Sequence, residues 1–102
     1  MYFNVYLKTK QQFQDLLQKR EQILKEYKIP FKTFPEKNQI QFLFNDKWSG
    51  MDYVYNERGV YVKIFASYKD VQEVSYGTRT EEGVHNLLCI NVREIAYMDF
   101  HD

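Results

Sequence analysis

Residues 53–65 read YVYNERGVYVKIF, two alternating aromatic segments on either side of a polar turn. Successive side chains of a strand point to opposite faces, and aromatic and β-branched residues favour strands. The turn at 56–59 contains Asn and Gly, so the segment predicts a β-hairpin whose second strand continues to residue 68. Aromatic side chains in such a hairpin build either a small core or a surface for other macromolecules.

An amphipathic helix precedes the hairpin. Thr9, with Gln12 three positions later, has the pattern of a capping box. Apolar residues then recur at helical spacing, and Pro30 disfavours helical geometry at the residue before it, so the helix is expected to end near Lys28. The apolar stripe consists of Phe13, Leu16, Leu17, Ile23, Leu24 and Tyr27.

The remaining apolar segments alternate in the manner of short strands. Strands are expected at 2–7, 31–34, 39–44, 84–92 and 95–100. Lys69 and Asp70 predict a tight turn into a further strand at 71–76, and the polar segment 77–83 predicts a loop. Strands that follow one helix indicate the α+β class. We therefore expect a single domain over residues 1–102, with the N-terminal amphipathic helix packed on an antiparallel meander sheet or small half-barrel of about six to seven short strands.

Composition is typical of a globular protein, with 44% hydrophobic and 27% charged residues. No segment approaches the roughly 20 apolar residues of a membrane helix, and the first residues lack the pattern of a signal peptide. Cys89 is the one cysteine and has no partner for an internal disulfide. We expect a cytoplasmic protein in a reducing environment, with no membrane association.

The net charge of zero conceals an uneven distribution. Residues 1–40 contain eight basic and four acidic residues, which gives +4, and residues 41–102 contain six basic and ten acidic ones, which gives −4. The balanced total disfavours strong non-specific binding to nucleic acid. Either the two halves attract each other within one domain, or a basic helix face meets an acidic partner or a phosphate.

The sequence carries no pattern for catalysis, metal binding or cofactor binding. His85 and Cys89 are the only close Cys–His pair, but four residues of a strand span about 13 Å, and a nucleophile must lie about 3 Å from its base. Two histidines and one cysteine give no paired metal-ligand spacing, and the glycines are too scattered for a phosphate-binding loop. We expect no enzyme, no metal and no cofactor. A small-ligand binder or small enzyme remains an alternative, because residues distant in sequence can converge in a pocket.

A second alternative is a single-stranded nucleic-acid-binding protein. Tyr61, Lys63 and Phe65 alternate onto one face of the predicted hairpin, and aromatic residues with a nearby cation stack bases in such proteins. Residues 58–65 match the RNA-recognition pattern only at its first two positions and its last, so they do not identify that family. Cross-strand aromatic pairing explains the same residues without a ligand.

The function that the sequence favours is a non-enzymatic module that binds and blocks a larger protein. Trp and Tyr are enriched at the energetic centres of interfaces, and acidic loop residues can oppose a basic partner surface. Contacts are expected from the loop around Trp48, from the hairpin and from the segment 77–83. The expected partner-binding residues are Trp48, Asp46, Asp52, Tyr53, Tyr55, Tyr61, Glu81 and Glu82. A homodimer is compatible with every one of these functions, because a short meander has exposed edges.

The composition also bears on the source of the gene. Phe and Tyr have AT-rich codons and number eight and nine, whereas the chain has only four glycines and two prolines, whose codons are GC-rich. This favours a low-GC bacterium, or a phage or mobile element of one, and hence an inhibitor of a host or defence protein.

Overall fold

The computed structural model describes residues 1–44 and 49–102, and for residues 68–72, 74 and 80–82 it describes the backbone alone. In chain order the elements are β1 (Tyr2–Leu7), α1 (Lys10–Glu26), β2 (Phe31–Phe34), β3 (Gln39–Leu43), β4 (Ser49–Asn56), β5 (Gly59–Val74), β6 (Gly77–Asn91) and β7 (Ile95–His101). Short 3-10 helices at Pro35–Lys37 and Val92–Glu94 precede β3 and β7.

The strands form two antiparallel sheets. The first sheet has the order β2-β3-β1-β7 and the second the order β4-β5-β6. One helix with antiparallel sheets confirms the predicted α+β class, although the strands divide between two sheets instead of forming one meander. In the first sheet β1 lies between β3 and β7, so residues near both ends of the described chain meet there.

The helix begins and ends at the signals present in the sequence. Thr9 Oγ1 accepts a hydrogen bond from the backbone N–H of Gln12, and the Gln12 side chain accepts one from the backbone N–H of Thr9, which confirms the capping box. Lys28 follows the last turn with φ of 56°. Its N–H donates to Lys25 O and the next N–H, of Ile29, donates to Leu24 O. These two bonds form a Schellman motif, in which the left-handed position is usually a glycine.

The core lies between the first sheet, the helix and the second sheet. The fully buried side chains include Phe3 and Phe42 from the first sheet, Leu24 from the helix, and Ile64 and Ile90 from the second. A register shift between Ile64 and Phe65 makes Leu87 the additional residue of β6, so that Leu87 and Leu88 are both buried although they are adjacent. The second sheet therefore completes the same core as the helix.

The hairpin of β5 and β6 is much longer than the sequence predicts. The expected turn at Lys69 and Asp70 and the expected loop at 77–83 are wrong, because β5 runs on to Val74 and β6 starts at Gly77. Among the described residues, β4 pairs with β5 as far as Ala66, and beyond it residues 67–74 and 77–84 form a two-stranded ribbon. The exposed residues of the ribbon include Thr78 and Arg79. The segment 77–83 lacks apolar alternation, and this is why it resembled a loop in the sequence.

The predicted hairpin at 53–65 is confirmed. Asn56 pairs with Gly59 around a two-residue turn, and Asn56 Oδ1 accepts a hydrogen bond from the backbone N–H of Arg58. Gly59 has φ of +130°, a conformation that residues with a Cβ rarely adopt. No helix in the described part of the chain is long and apolar enough to cross a membrane.

Candidate partner-binding face

The first sheet turns its two faces to different environments. Alternate residues of β1, Phe3, Val5 and Leu7, enter the core, while Tyr2 and Tyr6 point away from it. Residues directly opposite each other in neighbouring strands share a face, so the registers define the whole outward surface. We call this surface the tyrosine face; its members are Pro30, Leu43, Tyr2 and His101 in one row, Lys32, Gln41, Asn4 and Asp99 in the next, and Phe34, Gln39, Tyr6 and Tyr97 in the third.

A hydrogen-bonded network occupies the centre of the tyrosine face. Asn4 Nδ2 donates to Asp99 Oδ1 at 2.8 Å. Gln39 Nε2 and Gln41 Nε2 donate to Asn4 Oδ1 at 2.9 and 3.0 Å. Asn4 is only 4% exposed and Gln39 6%, although both lie on the side of the sheet away from the core. The centre of the network is therefore buried, while Gln41 and Asp99 at its margins are half-buried.

The carboxylate of Asp99 sets the direction of this network. An ionised carboxylate only accepts hydrogen bonds, so Asn4 must turn its Nδ2 towards Asp99. The Oδ1 of Asn4 then faces β3, where both glutamines must present their nitrogens to it. Because each side chain fixes the orientation of the next, the amides are ordered before any partner arrives. His101 Nε2 lies 3.4 Å from Asp99 Oδ1 and borders the network on the side of β7.

Tyrosines flank the network on both sides. The rings of Tyr6 and Tyr97 lie 5.6 Å apart in the third row, and Tyr97 is 58% exposed. Tyr2, in the first row, is 38% exposed. Tyrosine supplies a large rigid contact area with a polar tip, which is the property that enriches it at interfaces.

A shallow groove opens at the β2 end of the tyrosine face. It has a volume of about 300 Å³ and is lined by Tyr2, Pro30, Phe31, Lys32, Gln41 and Leu43. Lys32 is exposed, while Gln41 and Leu43 are half-buried. The groove thus combines an apolar floor with one cationic and one amide group at its rim.

The tyrosines expected from the sequence as one cluster lie on two different faces of the second sheet. Tyr53 pairs with Val62 and Tyr55 with Val60, whereas Tyr61 pairs with Val54, so Tyr61 points to the opposite side. Tyr53 and Tyr55 are exposed, with ring centroids 6.4 Å apart, and Tyr61 is half-buried. The structure therefore does not bring the three together as anchors for one partner.

The acidic residues expected beside them are also dispersed. Asp52 Oδ1 accepts a hydrogen bond from the backbone N–H of Tyr53, and Asp52 lies opposite Lys63 in the register. The backbones of Glu81 and Glu82 pair with Asp70 and Lys69 in the ribbon instead of forming a loop. Asp46 and Trp48 lie outside the described residues, so the contact expected from the Trp48 loop remains a prediction.

His85 and Cys89 both lie on β6, as the sequence predicts. The ring of His85 packs 4.8 Å from the ring of Tyr27 at the end of the helix, and Cys89 is exposed. Within the part of the chain that the structure describes, no three potential metal-ligating residues come together. His85 thus has a packing role against the helix.

The sequence reasoning missed the tyrosine face, although a signal for it was present. Tyr2, Asn4 and Tyr6 alternate with the core residues of β1, as Gln39 and Gln41 do in β3 and Tyr97 and Asp99 in β7. Each pattern alone is that of an ordinary solvated strand face. Only the strand order β3-β1-β7 shows that the three patterns adjoin. Comparison of the chain with protein-family models, curated proteins and solved structures found no match.

Proposed function

We propose that this protein is a non-enzymatic module that binds another protein through the tyrosine face. The observation that carries the proposal is an ordered amide network flanked by tyrosines on an outward sheet surface. Side chains whose rotamers are already fixed lose little conformational entropy on binding. Tyrosine and amide groups also offer both apolar contact and hydrogen bonding, which suits a protein surface better than a hydrocarbon or a polyanion.

The charge of the face favours protein over nucleic acid. Across the twelve positions of the tyrosine face, Lys32 is balanced by Asp99, and His101 is the only other ionisable group besides the tyrosines. Nucleic-acid surfaces carry clustered cations that contact phosphates. The alternative surface around Tyr61 has Lys63 as its cation, and Lys63 lies opposite Asp52 in the register. Neither surface has the cationic excess of a nucleic-acid site.

We further propose that the partner is a larger host or defence protein and that binding blocks its activity. The support for this part is the AT-rich residue usage of the chain, which fits an accessory protein of a phage or mobile element from a low-GC bacterium. Binding as a homodimer is compatible with the proposal, because β2 and β7 are edge strands of the first sheet.

Site-specific photo-crosslinking tests the proposed function. A photoreactive amino acid replaces Tyr97 in one variant and Tyr55 in the other; these two tyrosines are 58% and 74% exposed but lie on different sheets. In a lysate of the source organism, treated with nuclease, we expect one protein to be crosslinked from position 97 and not from position 55. Crosslinking from position 55 alone, or to nucleic acid in an untreated lysate, would contradict the proposal.

A further inference from the structure

We infer that the groove at the β2 end of the tyrosine face is an anchor site for an acidic segment of the protein partner. In this site the partner inserts one large apolar side chain into the groove and places a neighbouring carboxylate on Lys32. The inference rests on the proposed function and adds to it the chemistry of the segment that is recognised.

The shape of the groove fits one side chain and its flanking backbone. Leu43 and Pro30 supply aliphatic surface, and Tyr2 and Phe31 complete the lining. A volume of about 300 Å³ is at the lower end of the range for ligand sites, so it matches an anchoring residue and not an extended ligand. This mixed aliphatic and aromatic lining suits a phenylalanine, leucine or methionine side chain.

The one cation that lines the groove, Lys32, favours an acidic segment over a basic one. Lys32 makes no ion pair with another described residue, and Lys28 and Lys37 flank the strand on either side. Glu36 is the one acid in residues 28–37. A carboxylate placed at Lys32 would therefore pair with a cation that no described acidic residue neutralises.

The orientation of Gln41 favours a peptide as the occupant. Its Nε2 is committed to Asn4, so its Oε1 is turned away from the network, beside Lys32 in the register. This oxygen accepts no hydrogen bond from the other described side chains. A backbone N–H of a bound segment would satisfy it, whereas the phosphates of a nucleic acid supply acceptors only.

Nuclear magnetic resonance titration of the full chain with short blocked peptides tests the inference. The probes are acetyl-Gly-Phe-Glu-Gly-amide, the same peptide with Gln in place of Glu, and the same peptide with Ala in place of Phe. We expect saturable shifts of the Gln41 side-chain amide and the Leu43 methyl groups with the Phe-Glu peptide. We also expect about two- to fivefold tighter binding than with the Phe-Gln peptide, as one exposed ion pair provides, and no saturation with the Ala-Glu peptide.

The variant Lys32→Gln distinguishes recognition of the peptide carboxylate by Lys32 from non-specific hydrophobic binding. In this variant we expect the Phe-Glu and Phe-Gln peptides to bind equally, while Lys19→Gln on the exposed helix surface keeps the preference of the native chain. Unchanged preference in Lys32→Gln would overturn the inference. So would an absence of shifts at the groove with every peptide, or stronger shifts there with a dodecamer of deoxythymidine.

The two proposals fail in different ways. If the photoreactive variant at position 97 captures a protein but the peptides leave the groove unperturbed, only the anchor site is wrong. If position 97 captures no protein, the proposed function itself is wrong, whatever the peptides do.

Discussion

Asn4 donates a hydrogen bond from Nδ2 to Oδ1 of Asp99 at 2.8 Å, across 95 positions of the sequence. This single bond joins β1 to β7 on the surface away from the core and gives the neighbouring amides their orientation. The tyrosine face therefore has an internal order that a typical solvated sheet surface lacks. Its consequences for stability can be measured separately from any partner.

Removal of the Asn4 side-chain amide, at the centre of the network, should lower the free energy of unfolding. In Asn4→Ala, the buried Gln39 and the half-buried Gln41 and Asp99 all lose a hydrogen-bond partner. An unsatisfied buried polar group costs about 1–3 kcal/mol, so we expect the free energy of unfolding to fall by about 2–4 kcal/mol. Urea denaturation followed by circular dichroism measures it. The matched control Asn86→Ala, at an exposed position of β6, should change stability by less than about 0.5 kcal/mol. Equal losses in the two variants would contradict the role of the network.

Two substitutions of Asp99 distinguish the stabilising effect of its charge from that of its hydrogen-bond acceptor. Asp99→Asn keeps an acceptor for Asn4 but loses the charge-assisted bond, so we expect a loss of about 1 kcal/mol. Asp99→Leu removes the acceptor as well and should cost about 2 kcal/mol or more. Because both variants also change the contact with the exposed His101, His101→Ala is the control and should lie within about 0.5 kcal/mol of the native chain. Asn and Leu variants of equal stability would show that Asn4 does not need this acceptor.

The end of the helix offers a stabilising change. Lys28 adopts φ of 56°, a left-handed conformation that costs a residue with a Cβ about 1 kcal/mol and costs glycine nothing. After allowance for the greater freedom of glycine in the unfolded chain, we expect Lys28→Gly to raise the free energy of unfolding by about 0.5 kcal/mol. Thermal and urea denaturation measure the gain. Lys28→Ala retains the Cβ and should give none, so a gain in both variants would point to the loss of the lysine charge instead.

The ribbon of residues 67–74 and 77–84 should open independently of the core. Within the described part of the chain its two strands pair only with each other, whereas the backbone at Val62 and Ile64 is paired on both sides and carries buried side chains. Amide groups that open locally exchange faster than those that need global unfolding. Hydrogen exchange followed by nuclear magnetic resonance should give ribbon amides a lower opening free energy than those of Val62 and Ile64. Equal protection along β5 would show that the ribbon belongs to the cooperative unit.

Partner affinity should depend on the tyrosine face and not on the exposed hairpin tyrosines. Once the partner is captured, we expect Tyr97→Ser to weaken binding at least tenfold, which is the scale of a moderate interface anchor. Tyr55→Ser removes a more exposed ring from the second sheet and should leave affinity within about twofold. Isothermal titration calorimetry with the purified partner measures both. The reverse order of effects would restore the hairpin as the binding surface, as the sequence predicts.

The periodicity of apolar residues was sufficient to predict the helix and strands that border the core. The capping box at Thr9, the apolar stripe of the helix and the alternation of β1 and β3 all follow from the need to bury one face. The same reasoning failed in the ribbon, where exposed residues such as Thr78 and Arg79 do not alternate with apolar ones. It also failed for Asn4, because a polar residue on the outward face is expected to be solvated. Its burial depends on neighbours from β3 and β7, which lie far away in the sequence.

The pairing of Tyr2 with His101 has a practical consequence for the design of baits. Both residues belong to the first row of the tyrosine face, so an affinity tag or fluorescent fusion attached to residue 1 or residue 102 emerges next to the surface that is under test. Such a fusion would compete with a partner and produce a false negative in capture experiments. The turn at Glu57 and Arg58 is exposed and belongs to the second sheet. A short epitope inserted there leaves the tyrosine face accessible, so this turn is the better position for an affinity tag.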